Sequence, residues 1–396
     1  MRAVPARNSD VDACPGALRL HQAADGPLAR VRLPGGLLTG TQLTSLATLA
    51  AEFGDGHLEL TSRANLQLRA LTNADPTALA TRLSAAGLLP SETHETVRNI
   101  AAPPLADATL RTLVAALDES LCADPALAAL PGRFLFALGQ VPLFPDLSAI
   151  PTNDSFTILF AGHDFGLHVP ADAVVPTLLT AANAFLALRA ETARPAWRLH
   201  ELPDGPALVA ARTASALGLA AATLVRTATG DEAPTVVGVV PQVDGLIAVG
   251  ALVPLGRLGG EALRLLATAR RLVVTPWRGV VVPDLTAEAA RRWARALDEV
   301  GLPVEPTTRW AGVTACAGRP GCAKSLADVR ADADSTSTYS DGLPVHWIGC
   351  PRGCGSPSGA HVRVEATPAG YAVTRQPDGE TFTGDTAHAV AAARRN

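Results

Sequence analysis

Four of the six cysteines fall in two tight pairs, Cys316 with Cys322 in CAGRPGC and Cys350 with Cys354 in CPRGC. Clustered thiols of this kind serve disulfides, zinc or iron–sulfur chemistry. Disulfides belong to oxidising compartments, and the opening MRAVPARNSDVDACPG has no apolar stretch behind its charges to act as a secretory signal. A structural zinc usually takes ligands separated by about two to four residues. C-x3-C fits that spacing and C-x5-C exceeds it. An iron–sulfur cube needs four thiolates around a larger body, and two loops presenting one pair each would supply them.

The residues around the cysteines suit the third reading. Gly318, Gly321, Gly349, Gly353, Gly355 and Gly359 let backbone amides come close to sulfur. Pro320, Pro351 and Pro357 keep these segments out of regular helix and central strand. Arg319, Lys324 and Arg352 bring positive charge to a site rich in thiolates.

The elements that position such a site are legible through an internal repeat. Pro34, Gly36, Leu38, Gly40, Leu43, Leu46 and Ala47 recur 220 positions later as Pro254, Gly256, Leu258, Gly260, Leu263, Leu266 and Ala267. After a six-residue deletion the correspondence continues, with Thr61 opposite Thr275, Leu83 opposite Leu297 and Gly87-Leu88 opposite Gly301-Leu302. Each copy reads as strand, helix, strand, helix, over residues 16–91 and 236–304. The first helix starts from a cap at Thr41, and the second ends at Gly87 or Gly301. Between them HLELTSRANLQLR alternates over thirteen residues. Leu58, Leu60, Leu66 and Leu68 form one face, and His57, Glu59, Thr61, Arg63, Asn65, Gln67 and Arg69 the other. A polar face with two arginines and two amides suits an anionic ligand.

A fainter repeat fills the intervening sequence. Val97–Ala101 overlays 313–317, and Leu130–Phe134 overlays 343–347, which sets Ile100 and Ala137 where Cys316 and Cys350 stand. The organisation is then A-B-A-B: half-domains over 16–91 and 236–304, with α/β domains over 92–235 and 305–396, the last carrying the cysteines.

Composition sets the outer limits. The 396 residues are 48% hydrophobic and 18% charged, enough for sizeable cores in more than one domain. A formal charge of -4 and no long basic run argue against nucleic acid as a partner. The most apolar stretch, VVGVVPQVDGLIAVGALVPLG, is broken by proline, glycine and Asp244, so no membrane span is expected and a cytoplasmic location is the default. No G-x-G-x-x-G finger follows a strand, so a nicotinamide site is not expected.

The cysteine pairs, the duplicated modules, TSRANLQLR, TVRNIA and LPGRF together resemble the nitrite and sulfite reductase superfamily over nearly the whole chain. Within it, TACAGRPGCAKSLADVRADA, VHWIGCPRGCGSP and VTPWRGVVVPDL look most like the precorrin-3B synthases of aerobic cobalamin synthesis. The resemblance implies an α+β fold of two ferredoxin-like half-domains and two α/β domains in pseudo-twofold arrangement. It implies a 4Fe-4S cluster on Cys316, Cys322, Cys350 and Cys354. It also implies a second iron centre, either sirohaem or mononuclear non-haem iron. Arg63, Arg98 and Arg133 match basic positions that hold sirohaem and substrate in the reductases, whereas Leu135 replaces a lysine there. That departure turns the expectation from small oxyanions to a polycarboxylate tetrapyrrole, which guanidinium recognises in bidentate fashion. Asn65, Gln67 and Arg278 complete the candidate tetrapyrrole set. The implied reaction is oxygen-dependent hydroxylation of precorrin-3A at C20 with closure of a γ-lactone, using O2 and electrons from an external ferredoxin or reductase. A sirohaem sulfite or nitrite reductase is the alternative enzyme. A zinc-stabilised module binding a tetrapyrrole or a partner is the non-enzymatic one.

Three smaller features remain. His163, Asp164 and His168 in GHDFGLH are the nearest approach to a two-histidine, one-carboxylate iron site. His346 and His361 flank the cysteine segments. In the gap-free register Trp277, not Arg278, lies opposite Arg63, so Arg278 faces the ligand only if a bulge at Pro276 reverses the alternation.

Overall fold

The thirteen-residue alternation is a hairpin and not one strand. The computed structural model describes residues 12, 14–192, 195–219, 224, 226–227, 236–357 and 359–395. In the first repeat, β1 (His21–Ala23) and β2 (Gly26–Val31) are followed by a short 3-10 turn (Pro34–Gly36), β3 (Leu37–Leu38) and α1 (Gly40–Phe53). Then come β4 (Leu58–Leu60), β5 (Leu66–Leu68) and α2 (Pro76–Ala85). β4 and β5 pair antiparallel, Leu58 with Leu68, Glu59 with Gln67 and Leu60 with Leu66. The connecting segment 61–65 holds an odd number of residues, so the leucines stay on one face through the reversal and the alternation runs on unbroken. Thr61 makes the turn: its N–H donates to the Asn65 carbonyl at 2.9 Å and its hydroxyl accepts from Asn65 N at 3.0 Å.

α1 is capped by Thr39 rather than Thr41. The Thr39 hydroxyl accepts from Gln42 N at 3.1 Å and the Gln42 side chain accepts from Thr39 N at 3.0 Å, a reciprocal box that needs Gln at the third helical position. Leu43, Leu46, Leu49 and Ala50 form its buried stripe.

The intervening segment builds a sheet from β6 (Ile100–Ala101), β7 (Phe136–Leu138), β8 (Leu147–Pro151), β9 (Phe156–Phe160), β10 (His163–Val169) and β11 (Arg226–Thr227). β6, β7 and β8 are parallel and the rest antiparallel. The helices α3 (Ala108–Ala123), α4 (Val174–Glu191) and α5 (Gly205–Ala216) cover it. Phe134, Phe136, Phe160 and Phe185 are buried in this core. By length and composition Ala171–Glu191 could cross a membrane, a property the sequence reading passed over. In the fold α4 packs Val174, Leu178, Ala181, Ala182, Phe185 and Leu188 into the same core.

The second repeat follows with β12 (Gly238–Pro241), β13 (Ile247–Leu252), a 3-10 turn (Pro254–Gly256), β14 (Arg257–Leu258), α6 (Gly260–Leu266), β15 (Leu272–Val274), β16 (Gly279–Leu285) and α7 (Ala287–Glu299). Each element matches its counterpart in the first repeat. The second helices end alike: Gly87 and Gly301 have φ of 69° and 78°, and Leu88 and Leu302 donate back to Leu83 and Leu297, both at 2.9 Å. The two sheets also trade edges. β14 pairs with β4, Arg257 opposite Glu59 and Leu258 opposite Leu58, while β3 lies beside β15. The helices meet closely at this exchange, and a Cβ on Gly40 would stand 2.2 Å from the Ala267 carbonyl oxygen.

The C-terminal segment is a sheet of β17 (Val313–Ala315), β18 (Val345–Ile348), β19 (His361–Thr367), β20 (Gly370–Gln376) and β21 (Thr381–Phe382), with α8 (Val329–Thr336) and α9 (Thr386–Arg394). Its first two pairings are parallel and the last two antiparallel, the order also seen from β6 to β10. The paired residues do not allow both overlays of the fainter repeat: partners stand 36 positions apart across β6 and β7 (Ile100 with Phe136) and 32 apart across β17 and β18 (Val313 with Val345), a difference of four where the two overlays differ by three. Ile100 and Ala137 lie inside β6 and β7, whereas Cys316 and Cys350 follow their strands.

Contacts group the chain into two units. One is Met1–Arg19, Val31–Leu37 and Ala80–Pro234; the other is Leu20–Arg30, Leu38–Leu79 and Thr235–Asn396. The second holds both hairpins and all four paired cysteines. The division expected at residue 235 falls outside the described residues.

Candidate metal centre and its arginine network

Cys316 leaves the end of β17 with its N–H on the Trp347 carbonyl at 2.9 Å, while its sulfur accepts from Gly349 N at 3.3 Å. The two cysteine loops are laced together, with Leu326 N donating to the Gly349 carbonyl at 2.8 Å. Gly349 cannot be replaced without moving this seam, since a Cβ there would stand 1.7 Å from Ser325 Oγ. Ser325 and Arg319 stiffen the first loop: Ser325 Oγ donates to the Ala327 carbonyl at 2.7 Å and Arg319 Nε to the Ser325 carbonyl at 2.8 Å.

All four cysteines are free thiols; Cys354 is exposed and the others are half-buried. Burial raises the Cys354 thiol, Arg352 opposes the shift, and the sulfurs of Cys316, Cys350 and Cys322 add to it. Four thiols on two loops therefore share one electrostatic neighbourhood, with an amide already aimed at sulfur. That is the donor set a cube requires. Among the described residues no three His, Cys, Asp or Glu side chains stand close enough around one point to hold a single ion.

Facing these loops is a network from the first hairpin. Arg69, just past β5, is buried and forks onto Asp25 with two bonds of 2.9 Å. Its Nη2 also donates to the Gly321 carbonyl at 2.7 Å, next to Cys322. Burial works against the Arg69 charge, but Asp25 and Glu59 outweigh it and raise its pKa. Glu59 Oε1 accepts from Arg330 Nη1 at 2.7 Å and lies 3.7 Å from Arg69 Nε. Gln67 sits between Arg30, which donates to its oxygen at 2.6 Å, and Glu59 Oε2, 3.5 Å from its amide. Asn65 is buried in the turn, and Arg63 is half-buried with its N–H on Thr61 Oγ1 at 3.3 Å.

Arg278 reaches the site by a different route from the one envisaged. No bulge forms at Pro276. The second hairpin has the turn of the first, with Thr275 N on the Gly279 carbonyl and Thr275 Oγ1 accepting from Gly279 N, both at 2.9 Å. Arg278 occupies its left-handed position, φ 60°, as Ala64 does at 57° in the first. Strand alternation stops at a turn, so the facing rule does not apply. Its Nη2 donates to the Gly355 carbonyl at 3.4 Å, beside Cys354. Burial first and then the charge of Arg330 push its guanidinium down to about 10, with Glu59 and Cys316 pulling the other way.

His346 is fully buried behind the second loop. Its Nε2 lies 3.0 Å from the Cys354 carbonyl, which can only accept, so Nε2 carries the proton and Nδ1 accepts from Thr314 Oγ1 at 2.7 Å. Burial and the nearby Arg278 charge hold it neutral, pushed down to about 3. His361 is bonded to the Gly359 carbonyl at 2.8 Å.

The remaining candidates lie in the first unit. Arg98 is buried with its fork filled by Asp118, at 2.7 and 2.6 Å, and Nη1 on the Leu88 carbonyl. That pairing commits Arg98 internally. Arg133 is partly exposed over the Trp197 ring, 5.3 Å from its centroid, with Asp12 at 3.8 Å. Leu135 is buried in an apolar cluster with Ala101 and Ala137. In GHDFGLH, Asp164 binds Gly166 N at 2.8 Å and His168 lies 3.1 Å from Thr157 Oγ1, so the trio is not gathered around an ion.

Arg69, Glu59 and Arg330 were missed as partners of the cysteine loops. The alternation had put Glu59 and Arg69 on the polar face, but Arg69 is 252 residues from Gly321 in sequence.

Residues 21–86 match the family model described as the nitrite/sulfite reductase ferredoxin-like half domain. The chain is 27% identical over 414 residues to a precorrin-3B synthase from Sinorhizobium sp, covering 91% of this chain and 81% of that protein. It is 29% identical over 391 residues to the ferredoxin–nitrite reductase of Synechococcus elongatus, covering 85% and 75%. The structure of Mycobacterium tuberculosis NirA protein superimposes with a TM-score of 0.71 at 20% identity, over 90% of this chain and 77% of that one.

Proposed function

From the shared nitrite and sulfite reductase fold and the likeness to precorrin-3B synthase, we propose an oxidoreductase that hydroxylates an anionic tetrapyrrole, precorrin-3A, at C20 with closure of a γ-lactone. The observation that supports the reading is the pair of laced cysteine loops, with Gly349 N on Cys316 Sγ and Leu326 N on the Gly349 carbonyl, faced by an arginine-rich hairpin. Cys316, Cys322, Cys350 and Cys354 hold a 4Fe-4S cluster, which supplies electrons one at a time from an external ferredoxin or reductase. One oxygen atom of O2 enters the substrate, and the other leaves as water after taking two electrons and two protons. A second iron centre, sirohaem or mononuclear, would supply the oxygen chemistry when bound. Arg63, Asn65 and Arg278 meet carboxylates of the macrocycle, and Gln67 orients Arg30 beside them; Arg133 is a separate candidate for an anionic group. Arg98 contributes through Asp118 by bracing its loop. The protein works in the cytoplasm.

The alternative is a sirohaem nitrite or sulfite reductase, favoured by the likeness to ferredoxin–nitrite reductase. Against it stands Leu135, which by the resemblance takes the place of a lysine of the reductases and is buried in an apolar cluster; a small oxyanion has to be held by closely placed cations. Anaerobically purified protein, assayed for iron and sulfide, then given precorrin-3A and reductant with and without O2, tests both. The proposal expects iron, sulfide and product only with O2. Product without O2, or turnover of nitrite or sulfite in its place, overturns it. One zinc and no iron identifies a zinc-stabilised module instead. Replacing any of the four cysteines by serine is expected to abolish the cluster absorption.

A further inference from the structure

The two cysteine loops are each gripped by an arginine, and each arginine comes from a different repeat. Arg69 of the first hairpin holds the Gly321 carbonyl, one residue before Cys322, and Arg278 of the second holds the Gly355 carbonyl, one residue after Cys354. Both glycines make the approach possible. A Cβ on Gly321 would lie 2.9 Å from Arg69 Nη2 and 3.2 Å from Asp25 Oδ2, and one on Gly355 would lie 2.6 Å from Arg278 Nη2. Neither arginine is free to wander. Arg69 is forked onto Asp25, in the turn between β1 and β2, and Arg278 sits at a turn position fixed by the Thr275 hydroxyl.

We propose that Arg69 and Arg278 are a pair of positioning residues that preset the separation of the two cysteine loops, so that four sulfurs meet the cluster without rearrangement. The inference rests on the four cysteines being cluster ligands. The duplicated hairpins then act as the two jaws of a gauge, with Glu59 and Arg330 joining the first jaw to α8.

The jaws differ in charge. Arg69 is balanced by Asp25, with Glu59 nearby. Arg278 makes no ion pair among the described residues, and both oxygens of Glu59 already serve Arg330 and Gln67. Arg278, held on the Gly355 carbonyl beside Cys354, therefore brings a guanidinium with no ion-pair partner among the described residues to the second loop, and positive charge there stabilises the reduced, more negative state of a cluster.

The test reconstitutes the cluster in the full chain and in Arg69→Met, Arg69→Lys, Gly321→Ala, Arg278→Met and Arg278→Lys. The readouts are retention of iron and sulfide under chelator challenge, the reduced-cluster EPR spectrum, and the midpoint potential. Arg69→Met and Gly321→Ala are expected to hold the cluster roughly ten-fold more weakly, with Arg69→Lys recovering part of the loss. Arg278→Met is expected to move the midpoint potential negative, and Arg278→Lys to restore it. Gly321 has no positive φ, so its alanine variant displaces Arg69 without straining the backbone. It keeps the proposal open to refutation should Arg69→Met not fold. Variants that match wild type in retention, EPR and potential overturn the clamp while leaving the cluster in place. Wild-type chain that takes up no iron or sulfide overturns the cluster reading and the clamp with it.

Discussion

Glu59 and Gln67 face each other across the first hairpin; at the same two places in the second stand Val273 and Val281. The backbones agree down to the threonine-anchored turn, and the side chains are as unlike as buried side chains can be. A duplicated scaffold can thus keep its geometry while one copy turns a charged face to the cysteine loops and the other stays apolar. What distinguishes the copies is the kind of free energy that holds that face. In the first it is a set of buried ions that stand or fall together, and in the second it is plain apolar burial.

The sharpest way to break this contrast is Glu59→Ala. With the acid gone, half-buried Arg330 loses its carboxylate while Arg69 keeps Asp25, so the cost is expected at about 3 kcal/mol, the lower end of what breaking a buried pair costs. Urea unfolding of the apo-protein measures it, and a loss under about 1 kcal/mol would show the face to be water-screened instead. Val273→Ala, the equivalent change in the second hairpin, is expected to cost about 1–3 kcal/mol from lost burial alone. Its effect should be indifferent to salt, whereas that of Glu59→Ala should not. The mildest comparison is at the first helix of each repeat. Thr39 caps α1 and Gly259 stands uncapped at the start of α6. Thr39→Ala should cost about 1 kcal/mol and Thr39→Gly only a few tenths, which would make the first copy resemble the second.

Much of this was legible from sequence for definite reasons. Gly87 and Gly301 located the ends of the second helices of both repeats, because the positive φ that ends a helix admits few residues other than glycine; the first helix was placed two residues late, at Thr41 instead of Thr39. The alternation in HLELTSRANLQLR gave the faces correctly and the topology wrongly, since an odd connecting segment preserves parity whether the chain reverses or not. The two overlays of the fainter repeat do not agree with one strand pairing, because loops of different length separate its paired strands and leave no mark in residue type. The cysteine pairs pointed to a candidate metal centre by their spacing. Their arginine partners did not, because a side chain meeting a backbone carbonyl far along the chain leaves no mark in residue type or spacing.

The exchange of β3 and β14 carries one more consequence. Without the borrowed strand, β4 and β15 would each end a sheet on bare N–H and C=O groups, the kind of edge that recruits foreign chains. A fragment bearing one repeat would therefore be sticky rather than merely incomplete, and two complementary fragments made together would be expected to find one another.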